Sequence, residues 1–333
     1  MRLLVTGGAG FIGSHYVRSV LGDAWGGARP DSVVVLDKLT YAGNLENLSL
    51  VRSDLRLRFV KGDILDVDLV DQLMAAVDAV VHFAAETHVD RSIHGAADFV
   101  MTNVSGTQTL LDSALRNGVD KFVHVSTDEV YGSIDHGSWT EDDPLLPNSP
   151  YSASKAGSDL LARAYFRTHG LPVCTTRCSN NYGPYQFPEK VIPLFVTNLF
   201  DGADVPLYGE GANVRDWLHV DDHCRAIHLV LDGGAPGEVY NIGGGTELSN
   251  NELAGRLLEA TGKGWERVRR VPDRLGHDLR YSVDFTKISR ELGYAPRVTF
   301  EQGLAETVQW YRTNRDWWQP LKERVEAGPS ARR

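Results

Sequence analysis

The stretch "RLLVTGGAGFIGSHYVRSVL" constrains this 333-residue chain more than any other. Leu3, Leu4 and Val5 make a short apolar strand. Gly7, Gly10 and Gly13 follow at once, three apart, and Ile12, Tyr16, Val17 and Val20 then recur at helical spacing. Residues without Cβ permit a tight strand-to-helix turn. They also let a pyrophosphate reach backbone N–H groups at a helix N-terminus. The next apolar strand, "SVVVLDKLT", carries Asp37 near its end, 24 residues past Gly13. That is close to the roughly 20 residues expected for an acid that holds an adenosine ribose. A carboxylate there repels a 2′-phosphate, so Asp37 favours NAD over NADP; the adjacent Lys38 works against that preference. A purely structural turn would leave Asp37 unexplained.

The alternation continues. "LRFVKGDILD" reads as a strand ending at Gly62, Asp63 and Ile64, suited to the adenine edge. "VDAVVHFAAETHVDRS" gives another strand, then Ala84 and Ala85, small enough for a cofactor to lie close. Residues 98–117 read as one helix with Val100, Val104, Thr107, Leu111 and Ala114 on one face. Strands alternating with helices imply a parallel sheet with right-handed crossovers, an α/β fold of the doubly wound, Rossmann type. Ligands collect at the C-terminal strand ends of such sheets.

"KFVHVSTDEVYG" is less ordinary. A buried strand runs into two adjacent acids, Asp128 and Glu129. Neighbouring strand residues point to opposite faces. Both acids can therefore serve one ligand only if the chain leaves the strand near Thr127, into a helical turn. Acids that merely cap a helix start are the plainer reading. Further on, Tyr151 and Lys155 in "YSASKAGSD" are four apart, on one helix face. A nearby ammonium and a positively charged nicotinamide ring would favour the Tyr151 phenolate, which could take a proton from a hydroxyl as hydride leaves the same carbon. Thr127 could hydrogen-bond that hydroxyl.

Composition narrows the class. The net charge of -10 provides no basic excess for nucleic acid. Cys174, Cys178 and Cys224 have no metal-ligand spacing and read as reduced thiols of a cytoplasmic protein. His82 and His124, on apolar strands, read as core or supporting residues, and no cluster suggests a metal. No apolar run suits a membrane span, and "MRLLVTGG" lacks a signal-peptide shape.

These motifs carry a resemblance. "GGAGFIG", a Thr just past a strand and "YSASK" resemble the extended short-chain dehydrogenase/reductases acting on nucleotide sugars. "DKLTYAGNLENL", "AAETHVDRSI", "STDEVYG", "RCSNNYGPYQFPEKVIPL", "NVRDWLHVDDHCRAI" and "DRLGHDLRYSVD" together resemble the dTDP-glucose 4,6-dehydratases, over residues 1 to 320. The resemblance implies oxidation at carbon 4 of the hexose, loss of water across carbons 5 and 6, and hydride return to carbon 6. It makes Glu129 the base at carbon 5 and Asp128 the acid at carbon 6. NAD would be regenerated each turnover and stay bound. The resemblance further implies cofactor contacts at Phe11, Ile12, Lys38, Thr40, Gly43, Thr102 and Asn181. It places Glu86, Thr87, His88 and Asn180 around the sugar. Glu189, Lys190, Pro206, Tyr208, Arg215, Asn250, Arg274, His277, Arg280 and Tyr281 would serve the rest of the substrate, with Arg215 and Arg280 as candidate phosphate grips. Leu275 departs from the family's usual Pro. A homodimer is implied, through a four-helix interface of residues 98–117 and 151–168 and their copies.

The expected division is a Rossmann domain over residues 1–179, with 215–245 returning to it, and a sugar-nucleotide lobe from 180–214 and 246–325. Residues 326–333 read as a frayed tail, "LGDAWGGARPDS" as a surface insertion, and "DWW", Asp316 to Trp318, as packing. Rival readings are a related UDP-sugar epimerase or decarboxylase, a dehydratase for another nucleotide, and a non-enzymatic NAD-binding scaffold. The two acids argue against the epimerase and decarboxylase. The set Thr127, Asp128, Glu129, Tyr151 and Lys155 argues against the scaffold, which needs none of them.

Overall fold

The computed structural model describes residues 1–26 and 29–326. Its centre is a seven-stranded sheet in which every neighbouring pair is parallel. Six strands come from the first half: β1 (Arg2–Thr6), β2 (Ser32–Asp37), β3 (Leu57–Lys61), β4 (Ala79–His82), β5 (Lys121–Thr127) and β6 (Val173–Cys178). The lobe adds β7 (Asn180–Tyr182), β8 (Val205–Tyr208), β9 (Val214–His219), β11 (Glu247–Ser249) and β12 (Val268–Val271), while β10 (Val239–Ile242) returns to the central sheet. The central order is β10-β6-β5-β4-β1-β2-β3. The chain switches direction between β1 and β4, and that crevice is where such sheets bind dinucleotides.

The strands read as continuous apolar runs because both sheet faces are covered. Leu3, Val5, Val33, Val35 and Val81 pack on one face with Tyr16, Val17, Ile227 and Val230 of the helices Phe11–Gly22 and Val220–Gly233. Leu4, Leu36, Val80 and Phe122 face the other way. There they meet the helices Val67–Met74, Thr107–Asn117 and Pro150–His169. This is the doubly wound arrangement expected. The lobe has its own core, with Phe195, Trp217, Leu257, Phe300 and Trp318 at its centre. Two small sheets, β11-β9-β7 and β12-β8, frame it. Residues 215–219 thus belong to a lobe sheet, and the return to the central sheet is made by Val220–Gly233 and β10.

Several local expectations change. The helix expected over 98–117 contains a π-helical stretch, Val100–Gly106, between Ala97–Phe99 and Thr107–Asn117. An i→i+5 turn inserts a residue and rotates the face. Thr107, Leu111 and Ala114 therefore face the core, while Val100 and Met101 are about half exposed. Gly106 lies so close to Ile64 that a Cβ would meet its side chain at 2.4 Å. The expected surface insertion is partly anchored: Trp25 packs on the core and donates to Asp221 at 3.2 Å. Residues 27 and 28 lie outside the described residues, as do 327–333 of the expected tail; the last helix is Arg315–Glu326. Trp318 is buried, and Trp317 donates to Asn47 at 3.0 Å, joining that helix to the first domain.

A charged network lies inside the sheet-helix interface. Asp159 accepts from His124 at 3.1 Å and from Arg177 Nε at 2.9 Å, with all three side chains buried. Burial alone would raise the Asp159 carboxyl; Arg177 and His124 overcome it and hold it at about 2. Its folded value lies below its ordinary 3.8, so its contribution to stability is complete above that pH and lost as pH falls towards about 2. Asp159→Ala leaves Arg177 buried without its partner and should lower unfolding free energy by about 3–5 kcal/mol in a denaturant titration.

Candidate active site

The glycine turn fits a pyrophosphate. Gly7 has φ +69°, and a Cβ on it would stand 2.6 Å from the backbone of Ala84. A Cβ on Gly13 would stand 2.4 Å from the Gly7 carbonyl. Backbone, not side chain, therefore lines the approach to the Phe11–Gly22 helix. At the end of β2, Asp37 accepts from the N–H groups of Ala9 at 2.9 Å and Leu39 at 2.8 Å, which fixes its orientation. Lys38, the residue that argued for a 2′-phosphate, is paired with Asp63 at 2.5 Å.

One large cavity opens over this turn. The glycine turn contributes Gly7, Gly10, Phe11, Ile12 and Gly13, and the end of β2 contributes Asp37, Lys38, Thr40 and Gly43. Asp63 and Ile64 follow β3, Ala84 and Ala85 follow β4, and Thr102 comes from the π-helical stretch. Thr127, Asp128, Glu129, Tyr151, Lys155 and Asn181 complete the same wall, with Glu86, Thr87, Asn180, Glu189 and Lys190 towards the lobe. The residues expected around a cofactor thus share one cavity, whose fit to NAD rests on the cradle at Gly7 and Gly13 and on the oriented Asp37.

The chain leaves the strand where the two acids require it. β5 ends at Thr127, and a 3-10 turn runs Asp128–Tyr131. The Thr127 hydroxyl accepts from the Glu129 N–H at 3.3 Å, as a helix cap does. Asp128 is 2% exposed, and its Oδ2 has no partner among the described residues. Burial, then the neighbouring Glu129 charge, pushes the Asp128 carboxyl well above its usual range, the direction that favours its protonated form. Burial also raises Glu129, against the pull of Arg215, Lys190 and Arg274. Both adjacent carboxyls are thus raised, and cations oppose the rise more at Glu129, where three act, than at Asp128, where Arg215 acts.

The Tyr151–Lys155 pair differs from expectation. Lys155 Nζ donates to the Val125 carbonyl at 2.8 Å, and burial lowers its ammonium to about 8. Burial, then the charge of Glu129, pushes Tyr151 well above its usual value. Burial thus acts against the phenolate that the sequence reading invoked.

A smaller cavity adjoins the first and shares Glu129 and Asn180 with it. Arg215, Asn250, Arg274, His277 and Tyr281 line it, as does Trp217 two residues along β9 from Arg215. Four expected contacts line neither cavity. Arg280 is held by Glu247 through two bonds of 2.7 Å and donates to the Gly137 carbonyl at 2.8 Å. His88 caps the helix Val89–His94. Pro206 sits in β8 against β12. Tyr208 lies under the Arg274 guanidinium, 5.2 Å from it. Conversely, Ser126, Cys178, Ser179 and Gln186 line the large cavity without having been singled out for it. Their place beside Thr127 and Asn180 in sequence was the available signal. His82, bonded to Thr6 and Thr107, is a core residue. Leu275 is exposed.

This sheet, cradle and Thr–Tyr–Lys group define a dinucleotide-dependent enzyme of the extended short-chain dehydrogenase/reductase class. A family described as GDP-mannose 4,6 dehydratase matches residues 4–307. A dTDP-glucose 4,6-dehydratase of Streptomyces antibioticus is 65% identical over 99% of this chain and 98% of its own length. One of Streptomyces niveus is 63% identical over 98% and 97%. The crystal structure of DesIV, a dTDP-glucose 4,6-dehydratase from Streptomyces venezuelae with NAD and TYD bound, matches with a TM-score of 0.96 at 67% identity, covering 96% of this chain and 100% of the other. The chain belongs to the dTDP-glucose 4,6-dehydratase family.

Two outcomes follow from this geometry. Gly13→Ala should weaken NAD binding by about 1–3 kcal/mol, measured by calorimetry on cofactor-stripped protein, because its Cβ meets backbone that cannot yield. The acid limb of the kcat/KM profile should report Glu129. As pH falls through its raised value the base gains a proton, so the apparent pKa should lie above the ordinary 4.5; a value at or below that contradicts the assignment.

Proposed function

We propose that this chain converts dTDP-glucose to dTDP-4-keto-6-deoxyglucose and keeps its NAD through each turnover. The observation that carries this is the 3-10 turn that brings both Asp128 and Glu129 into the cavity holding Thr127 and Tyr151. Bound NAD takes a hydride from carbon 4 and gives it back to carbon 6. Tyr151 removes the proton of the 4-hydroxyl, which Thr127 positions. The new ketone acidifies the carbon 5 proton, and Glu129 takes it. The carbon 6–oxygen bond breaks as the 5,6 double bond forms, and the Asp128 proton leaves with that oxygen as water. Carbon 5 regains a proton as hydride reaches carbon 6. The proton left on Tyr151 balances the one lost by Asp128 through solvent.

The hexose reacts where the two cavities meet, beside Glu129 and Asn180. Its nucleoside diphosphate extends into the smaller cavity, where Arg215 and Arg274 supply positive charge and Asn250 a hydrogen-bonding amide. The chain works in the cytoplasm as a homodimer. Cys174, Cys178 and Cys224 are buried and unpaired, which suits a reducing compartment. No helix among the described residues is long and apolar enough to cross a membrane. Val100, Met101 and Leu160 expose apolar side chains on the two helical segments assigned to the dimer interface. Light scattering should give twice the chain mass, and a single-chain mass would overturn the dimer.

Glu129→Gln tests the chemistry. Tyr151 and Thr127 remain, so addition of dTDP-glucose should still reduce the bound cofactor, seen as absorbance at the NADH band. Product formation should fall by about 10²–10⁴. Loss of the NADH signal together with turnover would show that Glu129 is not the carbon 5 base.

A further inference from the structure

Tyr131 closes the turn that carries both acids, and no step above uses it. Its side chain is fully buried, yet its hydroxyl is doubly engaged. It accepts from Arg177 Nη1 at 2.7 Å and donates to Asn241 Oδ1 at 2.8 Å. Its ring stacks on Trp139 at 6.0 Å and 18°, and the Arg177 guanidinium lies 4.8 Å from its centre. Arg177 in turn holds Asp159 at 2.9 Å. Asp159 stands four residues past Lys155 on the helix Pro150–His169, which also carries Tyr151. Asn241 lies on β10 and is fixed by two further bonds, from its Nδ2 to the Trp139 carbonyl at 3.0 Å and from its N–H to Glu141 at 2.9 Å.

Resting on the function proposed above, we infer that Tyr131 is a positioning residue for the elimination step: its hydroxyl, held by Arg177 and Asn241, fixes the Asp128–Glu129 turn relative to the helix of Tyr151 and Lys155. Two groups of catalytic residues must meet one sugar, at carbon 4 and at carbons 5 and 6. The hydride group has its own anchor. Lys155 is tied to the Val125 carbonyl, and Ser158 and Asp159 of the same helix are tied to His124 of β5. Among the described residues the acids have no comparable side-chain ties: the Asp128 side chain bonds to Thr127 at 3.3 Å, and Glu129 is bonded through its backbone, from its N–H to Thr127 and from its carbonyl to the Gly132 N–H. Tyr131, two residues past Glu129, is the side chain that pins the turn to β6 and β10. Without its hydroxyl the turn loses two bonds, while Thr127, Tyr151 and Lys155 keep theirs.

The test is Tyr131→Phe, with Tyr294→Phe as control. Tyr294 is likewise buried and donates to the Gly243 carbonyl at 2.8 Å, but it follows the helix Thr286–Leu292 and is no part of the turn that carries the acids. Stopped-flow absorbance on holoenzyme mixed with dTDP-glucose reads bound NADH, product is followed separately, and thermal unfolding reads stability. Small misplacements of catalytic groups can cost about 10²-fold in rate. Tyr131→Phe should slow product formation about tenfold or more, change the initial rate of NADH appearance less than about twofold, and raise the steady-state NADH fraction. Tyr294→Phe should leave that partition unchanged even if it lowers the unfolding midpoint as much. Equal slowing of NADH appearance and product formation in Tyr131→Phe, or no change in either, overturns the inference. A wild-type chain that makes no 4-keto-6-deoxy product overturns the function instead, so the two failures are distinguishable.

Discussion

The structure depends on one constraint at the end of β5: a buried strand must stop at Thr127 so that two consecutive carboxyls can reach one ligand. Strand geometry would send Asp128 and Glu129 to opposite faces. The Thr127 hydroxyl takes the Glu129 N–H, and the backbone closes a 3-10 turn. Gly132 ends that turn at φ +82°, where a Cβ would stand 2.3 Å from the Leu146 carbonyl. A glycine after Tyr131 is thus as much a part of the site as the acids.

Burial then sets the chemistry. The sheet is parallel and covered on both faces, so its strand ends are held firmly and present their residues in one crevice. The same burial shifts the groups that stand there. It raises Asp128, Glu129 and Tyr151, and lowers Lys155. On the proposed reading, Asp128, raised by burial and by its neighbour's charge, and Glu129, whose rise three cations oppose, divide one elimination between them. On the same reading, a positive nicotinamide ring beside Tyr151 would offset this rise, coupling proton removal to the cofactor.

Much of this was legible in the sequence because it is local. Gly7, Gly10, Gly13 and Asp37 are fixed by what one turn can accommodate, and the break after Thr127 follows from the period of a strand. The departures were set by partners distant in sequence. Arg280 pairs with Glu247, 33 residues away. Lys155 finds the Val125 carbonyl, 30 residues away, which no i, i+4 argument reveals. The π-helical stretch Val100–Gly106 ends at Gly106, packed closely on Ile64, again a contact between distant segments. The wall formed by Ser126, Cys178 and Ser179 was overlooked because their chemistry is unremarkable until β5 and β6 lie side by side.

The most direct measurement is of the purified protein with dTDP-glucose in deuterated water, with no NAD added and the sugar followed by NMR. The account predicts a 4-keto-6-deoxy product carrying solvent deuterium at carbon 5, formed with the cofactor the protein already holds. Unchanged dTDP-glucose, with UDP-sugars epimerised or decarboxylated instead, would mean that the two acids after Thr127 do not perform an elimination.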